Sequence, residues 1–359
     1  MSISSAGSQL CLELPRIAPV VVSRAESERE WDDFVTSHPA ASAYHTWRWR
    51  GLLERAFGLR SVYLIAHRDR EVVGVLPLVL FRGPLFGRFA VSMPFLNYGG
   101  VLANSDAAAG ALLASAIDVA RDERAGYVEL RHSTRCFTHL PVRTHKVAMV
   151  LRLQQTCDDQ WRVLDRKLRN QVRKAEKADL RVRVGGLELL DAFYDVLSRN
   201  MRDLGSPVHS RRFFEEIVRT FPECTRIVSV WLDSTPVAAS FVFWHADRLE
   251  VPWASSLKTH NHLCANVLLY WEMLKFGIER HFAEFDFGRS TPLEGTYKFK
   301  EQWGAEPRQL YWEYWLSDGA QIPDRSPKNP KFSAMISLWR HLPVAITRVI
   351  GPLLVRNIP

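Results

Sequence analysis

The residues best able to do chemistry lie between Glu284 and Gly304, in EFDFGRSTPLEGTYKFKEQWG. Phe285-Asp286-Phe287 reads as a short buried strand that breaks at Gly288. Arg289 follows at once, and Tyr297-Lys298-Phe299-Lys300 sets two cations among aromatics. A carboxylate at the end of a strand is a common place for function in α/β folds, and equally the place of an ordinary strand-end hydrogen bond. If 297–300 is extended, Lys298 and Lys300 share one face, with Tyr297 and Phe299 on the other. A lysine beside aromatics can present a desolvated cation to a developing oxyanion; an edge strand guarded by lysines has the same pattern. The chemistry this implies is the handling of an anionic or acyl-activated substrate.

A second cluster precedes it. In the helix predicted over 158–178, Trp161, Leu164, Leu168, Val172 and Ala175 form an apolar stripe. Arg162, Arg166, Lys167, Arg169, Arg173, Lys174 and Lys177 lie off that stripe, against only Asp165 and Glu176. Like charges at this spacing repel, so helix stability does not account for them; guanidinium groups that grip phosphate would, as would a merely solvated basic face. The loop Phe95-Leu96-Asn97-Tyr98-Gly99-Gly100 could bring backbone close to a ligand, or be a tight turn. His260 and His262 flank Asn261 without a third metal ligand, and the five cysteines include no CxxC pair, so no metal site is expected. No GxGxxG, Walker loop or GxSxG elbow is present. No dedicated nucleic-acid motif accompanies the basic helix.

The elements that must position these residues alternate along the chain. Strands are predicted at 62–67 and 71–81, joined by Arg68-Asp69-Arg70, and helices at 31–37, 47–57 and 107–122. Strands at 127–131 and 147–153 close the first half. The second half repeats the order: helices to 178, at 188–202 and 211–220, strands at 180–184, 227–232, 237–244 and 249–254, a helix at 266–281, then strands at 284–287 and 309–315. This is α/β (α+β) material arranged twice. A boundary is placed at 153/154, giving a tail at 1–16, domains at 17–153 and 154–316, and a linker with an amphipathic segment at 317–359. With 359 residues and a net charge of +8, a two-domain, mildly basic protein suited to polyanionic partners is expected. No secretory signal or spanning segment is read, and a cytoplasmic setting with reduced thiols follows as an expectation.

The order RNQVRKAEK on a helix, then YWEMLKFGIERH, FDFGRS and GTYKFKEQWG resembles the FemAB-like family, and more specifically the branch associated with exosortase/PEP-CTERM exopolysaccharide systems of Gram-negative bacteria. The resemblance spans roughly 17–316. It implies two tandem GNAT-like domains, each a mixed, mostly antiparallel sheet flanked by helices. It also implies transfer of an acyl or aminoacyl group to an amine. By the family pattern Lys300 stabilises the transition state, Arg169, Asn170 and Arg173 belong to the basic helix, and Trp47 and Arg48 correspond to residues near the acceptor. The chain lacks the long helical hairpin that some relatives use for tRNA, and SSLKTHNHLCAN lacks R/Q-x-x-G-x-G/A. The donor therefore stays open between acyl-CoA and aminoacyl-tRNA, with no tightly bound cofactor.

The resulting expectation is an acyltransferase making an amide on an amino-bearing cell-envelope or exopolysaccharide precursor. Lys300 would hold the oxyanion, and Asp286 or a water would take the proton. Arg289, Tyr297, Lys298, Arg169, Asn170, Arg173, Trp47, Arg48, Asn97, Tyr98 and Gly99 would bind donor or acceptor. The alternative is a non-catalytic, membrane-peripheral scaffold on a degenerate transferase fold. The run 332–356 is apolar and basic, and could lie against the inner membrane or pack on the protein itself.

Overall fold

The hairpin expected at Arg68-Asp69-Arg70 forms, with Asp69 in the left-handed region at φ 56°. In the computed structural model, which describes residues 18–83, 87–323 and 330–358, it joins two long strands. The expected N-terminal tail at 1–16 and residues 324–329 of the linker lie outside the described residues, as do the side chains of Lys331 and Phe332.

The first half runs β1 (Val20–Arg24), α1 (Glu28–Ser37), α2 (Trp49–Phe57), β2 (Arg60–Arg68), β3 (Glu71–Gly83), β4 (Gly87–Val91), β5 (Leu102–Ala103), α3 (Asp106–Asp122), β6 (Tyr127–His132), β7 (Val142–Arg143) and β8 (Val147–Arg152). Side-chain oxygens start two of its helices, α1 and α3: Ser27 accepts from the Glu30 amide at 3.2 Å and Ser105 from the Ala108 amide at 3.3 Å. The second half runs α4 (Cys157–Val163), α5 (Arg166–Glu176), β9 (Leu180–Gly185), α6 (Leu190–Leu204), α7 (Arg211–Thr220), β10 (Thr225–Leu232), β11 (Thr235–His245), β12 (Arg248–Ser256), α8 (Ala265–Glu279), β13 (Glu284–Ser290), α9 (Gly295–Glu301), β14 (Glu306–Gln309) and β15 (Tyr311–Leu316). Two helices follow, α10 (Pro330–His341) and α11 (Val344–Val355).

Two mixed sheets result. One has the order β1-β2-β3-β4-β6-β15-β7, with β5 on β3; the other is β14-β8-β13-β12-β11-β10-β9. Each contains one parallel pair bridged by a crossover helix, β4-α3-β6 and β12-α8-β13, and the remaining pairs are antiparallel. That is the duplicated α/β order in physical form. The strands do not divide at 153/154, however. β8 pairs between β14 and β13 in the second sheet, while β15 returns to pair β6 and β7 in the first. An apolar run such as VAMVLR satisfies a sheet interior anywhere, so chain order alone does not choose its partners.

Three local expectations are corrected. The helix over 158–178 is two helices, because Asp165 leaves helical geometry to accept from the Leu168 amide at 2.8 Å and start α5 afresh. The strand at 309–315 is two strands in different sheets, turning at Leu310. Residues 297–300 are helical, so Lys298 and Lys300 do not share a face.

The two halves meet in one hydrophobic cluster, where Trp49, Phe57 and Phe95 of the first pack with Phe213, Phe214 and Phe241 of the second. Outside it, Arg55 pairs with Glu216 at 2.8 Å between α2 and α7. β12 and β13 pair only from Arg248–Glu250 with Glu284–Asp286, then diverge. A bulge between Asp286 and Arg289 interrupts the pairing of β13 with β8, which resumes at Arg289, and kinks β13. Gly288 makes the bend with φ 73°, and a Cβ there would stand 2.9 Å from the Val251 carbonyl oxygen.

Gly288→Ala should therefore destabilise more than Gly87→Ala, which has φ 71° but nothing within 4 Å. Chemical denaturation should show about 1–2 kcal/mol for Gly87→Ala from the left-handed backbone alone, and a clearly larger loss for Gly288→Ala. Equal losses would mean that the close approach of β12 and β13 is unimportant.

Candidate active site

Where β12 and β13 part, Glu250 and Asp286 are register partners on adjacent parallel strands. Paired positions project from the same face, about 5 Å apart at the backbone, and both carboxyls are buried. The irregular loop 92–100 of the first half fills the space beside them. All its residues are buried, and Met93 and Phe95 take left-handed φ of 53° and 70°, strain that the surrounding contacts must hold. Gly99, at φ 129°, is required because a Cβ would fall 2.4 Å from Met93.

The loop delivers two side chains. Asn97 Nδ2 donates to Glu250 Oε1 at 2.6 Å, and the Tyr98 hydroxyl donates to Asp286 Oδ2. Asp286 Oδ1 accepts from the Gly288 amide at 2.8 Å. The loop is itself held by Arg131, which donates to the Leu96 carbonyl at 3.0 Å and pairs with Glu129 at 2.8 Å, both side chains being almost wholly buried. Burial pushes the Tyr98 hydroxyl well above its ordinary value, so it stays a donor.

Burial and mutual repulsion raise the affinity of the carboxyl pair for a proton. Asp286 is pushed up by burial, opposed by its bonds from Tyr98 and Gly288; Glu250 is pushed up to about 8, by burial first and the Asp286 charge second. Asp286 feels the Lys300 cation more strongly than Glu250 does, which supports its charge, so the proton is placed on Glu250.

Lys300 reaches this point from α9. Its Nζ donates to the Gly288 and Arg289 carbonyls at 3.0 Å each, and burial lowers it to about 8 against the opposing pull of Asp286. Arg289 lies alongside with its Nη1 buried and without a hydrogen-bond partner, its guanidinium 5.6 Å from the Trp312 ring centre. Burial lowers Arg289 to about 10, and neighbouring Arg131 adds to the shift, so it remains a cation near neutrality. Arg131 lies over the same indole at 4.5 Å. A buried guanidinium with an unused N–H is suited to an arriving anion.

The structure thus brings together Asp286, Arg289, Lys300, Asn97, Tyr98 and Gly99. Tyr297 is half-buried against the second-half core, while Lys298 is exposed on α9. On α5, Arg173 lies over Trp161 at 5.4 Å, Asn170 is exposed, and the Nε of Arg169 is buried without a partner. Asn170 lines a surface groove with Arg166, Lys167 and Lys174, and Gln171 extends toward the β12–α8 turn, where it lines a cavity of about 270 Å³ with His260 and Asn261. Trp47 and Arg48 are engaged elsewhere. The Trp47 amide donates to Asp32 at 2.8 Å, and Arg48 pairs with Glu223, donates to the Thr220 carbonyl at 2.8 Å and covers Phe221. Glu250, Glu129 and Arg131 were not predicted from sequence. Their signal was a charge inside an apolar strand, RLEVPWASS and YVELRH.

Residues 163–301 match the acetyltransferase (GNAT) domain family, and the two sheets, each with a helix-bridged parallel pair, are a tandem GNAT-like fold. Among solved structures, FemX has a TM-score of 0.65 at 15% identity, over 83% of this chain and 97% of that one. A tandem GNAT protein from the clavulanic acid biosynthesis pathway has a TM-score of 0.52 at 12% identity, over 85% and 100%. The C-terminal domain of a putative lysylphosphatidylglycerol synthetase from Agrobacterium fabrum has 0.53 at 10%, over 79% and 90%. No curated protein matches the chain in sequence.

The Glu250 proton has a measurable consequence. A carboxyl raised from 4.5 to about 8 on folding contributes stability fully present below pH 4.5 and lost as pH rises through about 8. Glu250→Gln should match wild type near pH 4.5 and exceed it by on the order of a few kcal/mol at pH 8–9. Parallel stability curves in urea across that range would mean that Glu250 ionises normally.

Proposed function

We propose that the protein is an N-acyltransferase that forms an amide on an amino-bearing envelope or exopolysaccharide precursor. The observation that carries the reading is Lys300. It is a buried cation held on two carbonyls of the β13 bulge, with Arg289 beside it and a third N–H uncommitted. The acceptor amine attacks the activated carbonyl of the donor, the carbon–nitrogen bond forms, and the carbonyl oxygen takes the negative charge. Lys300 stabilises that oxyanion where water is largely excluded, an interaction stronger in the transition state than in the ground state. Collapse expels the donor's leaving group, and the amine proton passes to water.

Asp286 acts as a positioning residue, since both its oxygens already accept hydrogen bonds. A phosphate-bearing donor, acyl-CoA or aminoacyl-tRNA, is drawn to the basic face of α5 and to the adjoining start of α8, which has no side-chain cap. The GNAT domain match supports an acyl donor, and the resemblance to the exosortase-associated FemAB-like branch supports an exopolysaccharide-linked acceptor reached from the cytoplasmic side.

Transfer is assayed with acyl-CoA esters and aminoacyl-tRNAs against amino-sugar and lipid-linked acceptors. Lys300→Met keeps the aliphatic stem but strips the two bulge carbonyls of their donor. It should lower kcat by about 10²–10³ and lower the unfolding temperature, with circular dichroism showing a folded protein at the assay temperature. Because the cationic form is the active one, wild-type kcat should decline as pH rises through about 8. Full turnover by the variant would remove Lys300 from the chemistry. Absence of donor binding and turnover in the wild type would favour the scaffold instead.

Arg289→Ala should raise KM for the anionic substrate by about tenfold or more with a smaller change in kcat. Unchanged KM for every donor and acceptor would show that its unpaired guanidinium serves the fold alone.

A further inference from the structure

The two C-terminal helices dock on α6, α10 through Trp339 and Ile336 and α11 mainly through polar and small residues. Arg348 donates from Nε to Ser198 Oγ at 2.8 Å and from Nη2 to Asp195 Oδ1 at 2.5 Å. Thr347, Gly351 and Val355 form the buried stripe of α11, and Gly351 approaches so closely that a Cβ there would lie 3.0 Å from the Val208 amide nitrogen. The Arg340 guanidinium reaches the Leu204 carbonyl at 3.3 Å, and Arg202 reaches the Leu342 carbonyl at 3.2 Å.

Ile346, Val349, Ile350, Leu353 and Leu354 consequently face outward. Their spacing is that of a core-facing helix, but here the stripe meets solvent: Val349 is 68% and Leu353 60% exposed. On α10, Met335 and Leu338 are exposed in the same way. On α11 this amphipathicity is inverted relative to the protein's own interior, and its docking contacts fix it so. Large exposed apolar patches mark interaction surfaces.

Charge selects the occupant. Residues 330–358 carry Lys331, Arg340, His341, Arg348 and Arg356 and contain no Asp or Glu. His341 and Arg356 are exposed, each three residues after an outward leucine, Leu338 and Leu353. A second copy would oppose these cations to themselves without an acidic residue of the segment to pair them. An anionic lipid surface offers both an apolar layer and neutralising charge. With 12 residues, α11 is about 18 Å long, and no helix among the described residues is long and apolar enough to cross a membrane. The helices would therefore lie in the interface plane.

We propose that α10 and α11 form a docking face for anionic membrane, with Met335, Leu338, Val349 and Leu353 entering the lipid boundary and Arg356 meeting headgroups. This face is distinct from the β12–β13 site. α6, which carries it, packs on β12 and links to it through Asn200 Nδ2 and Ser255 Oγ at 3.1 Å. A lipid-linked acceptor would so be presented to the enzyme already concentrated at its surface.

The test is flotation of the full chain with phosphatidylcholine vesicles, with and without phosphatidylglycerol. Wild type should float with the anionic vesicles and release at high salt, while Val349→Glu/Leu353→Glu should reduce the bound fraction at least tenfold with unchanged circular dichroism. In Val349→Trp, the indole emission should shift to the blue on adding anionic vesicles only. Three results overturn the proposal: no flotation of wild type, flotation undiminished by the double variant, or a dimer abolished by that variant in a protein that does not bind vesicles.

Discussion

Two carboxyl groups side by side in the protein interior cannot both be charged without a large desolvation and repulsion penalty. Glu250 and Asp286 are in that position because β12 and β13 run parallel for three residue pairs and end their pairing at these two. Much of the surrounding structure answers this constraint. The loop 92–100 enters the gap from the first half, donating through Asn97 and Tyr98. Arg131 holds that loop, and Lys300 brings a compensating cation to the carbonyls just past Asp286. The two halves are thereby joined by polar contacts at the site as well as by the shared aromatic cluster.

The same arrangement organises the cations. Lys300 is oriented by the bulge carbonyls of Gly288 and Arg289, and the bulge lies where β13 parts from β12 while its pairing with β8 continues beyond. Arg289 is carried inward on that bend and left with an unsatisfied N–H. A buried donor without a partner is expensive in a resting fold, and it is explained if an anion supplies the missing acceptor. The basic face of α5 and the C-terminal platform add two further surfaces suited to anions, in keeping with the net charge of +8.

Most elements were legible in the sequence because hydrophobic periodicity reports burial directly. Glu71–Phe81 and Asn266–His281 are clear cases, and the structure shows β3 and α8 there. What periodicity does not carry is which strand pairs with which, so β8 and β15 crossed the expected boundary at 153/154. The segment 297–300 misled for a related reason. Alternation over four residues fits a strand, but Gly295–Glu301 is one turn of helix more than that window can show. At the site, Asp286, Arg289 and Lys300 were visible as charges in an aromatic segment, and Asn97 and Tyr98 as polar residues beside glycines. Glu250 was not, since a lone glutamate inside a strand acquires meaning only when its neighbour across the sheet is known.

The central claim is that the site rests on a carboxyl pair holding one proton near neutrality. Its most direct test is a carbon NMR titration of the Glu250 and Asp286 side-chain carboxyls, assigned with Glu250→Gln and Asp286→Asn. The account predicts that Glu250 remains protonated well above the ordinary carboxyl range and titrates at about 8. In Asp286→Asn, which removes the neighbouring charge, Glu250 should titrate lower. Two carboxyls that both ionise at ordinary glutamate and aspartate values would contradict it.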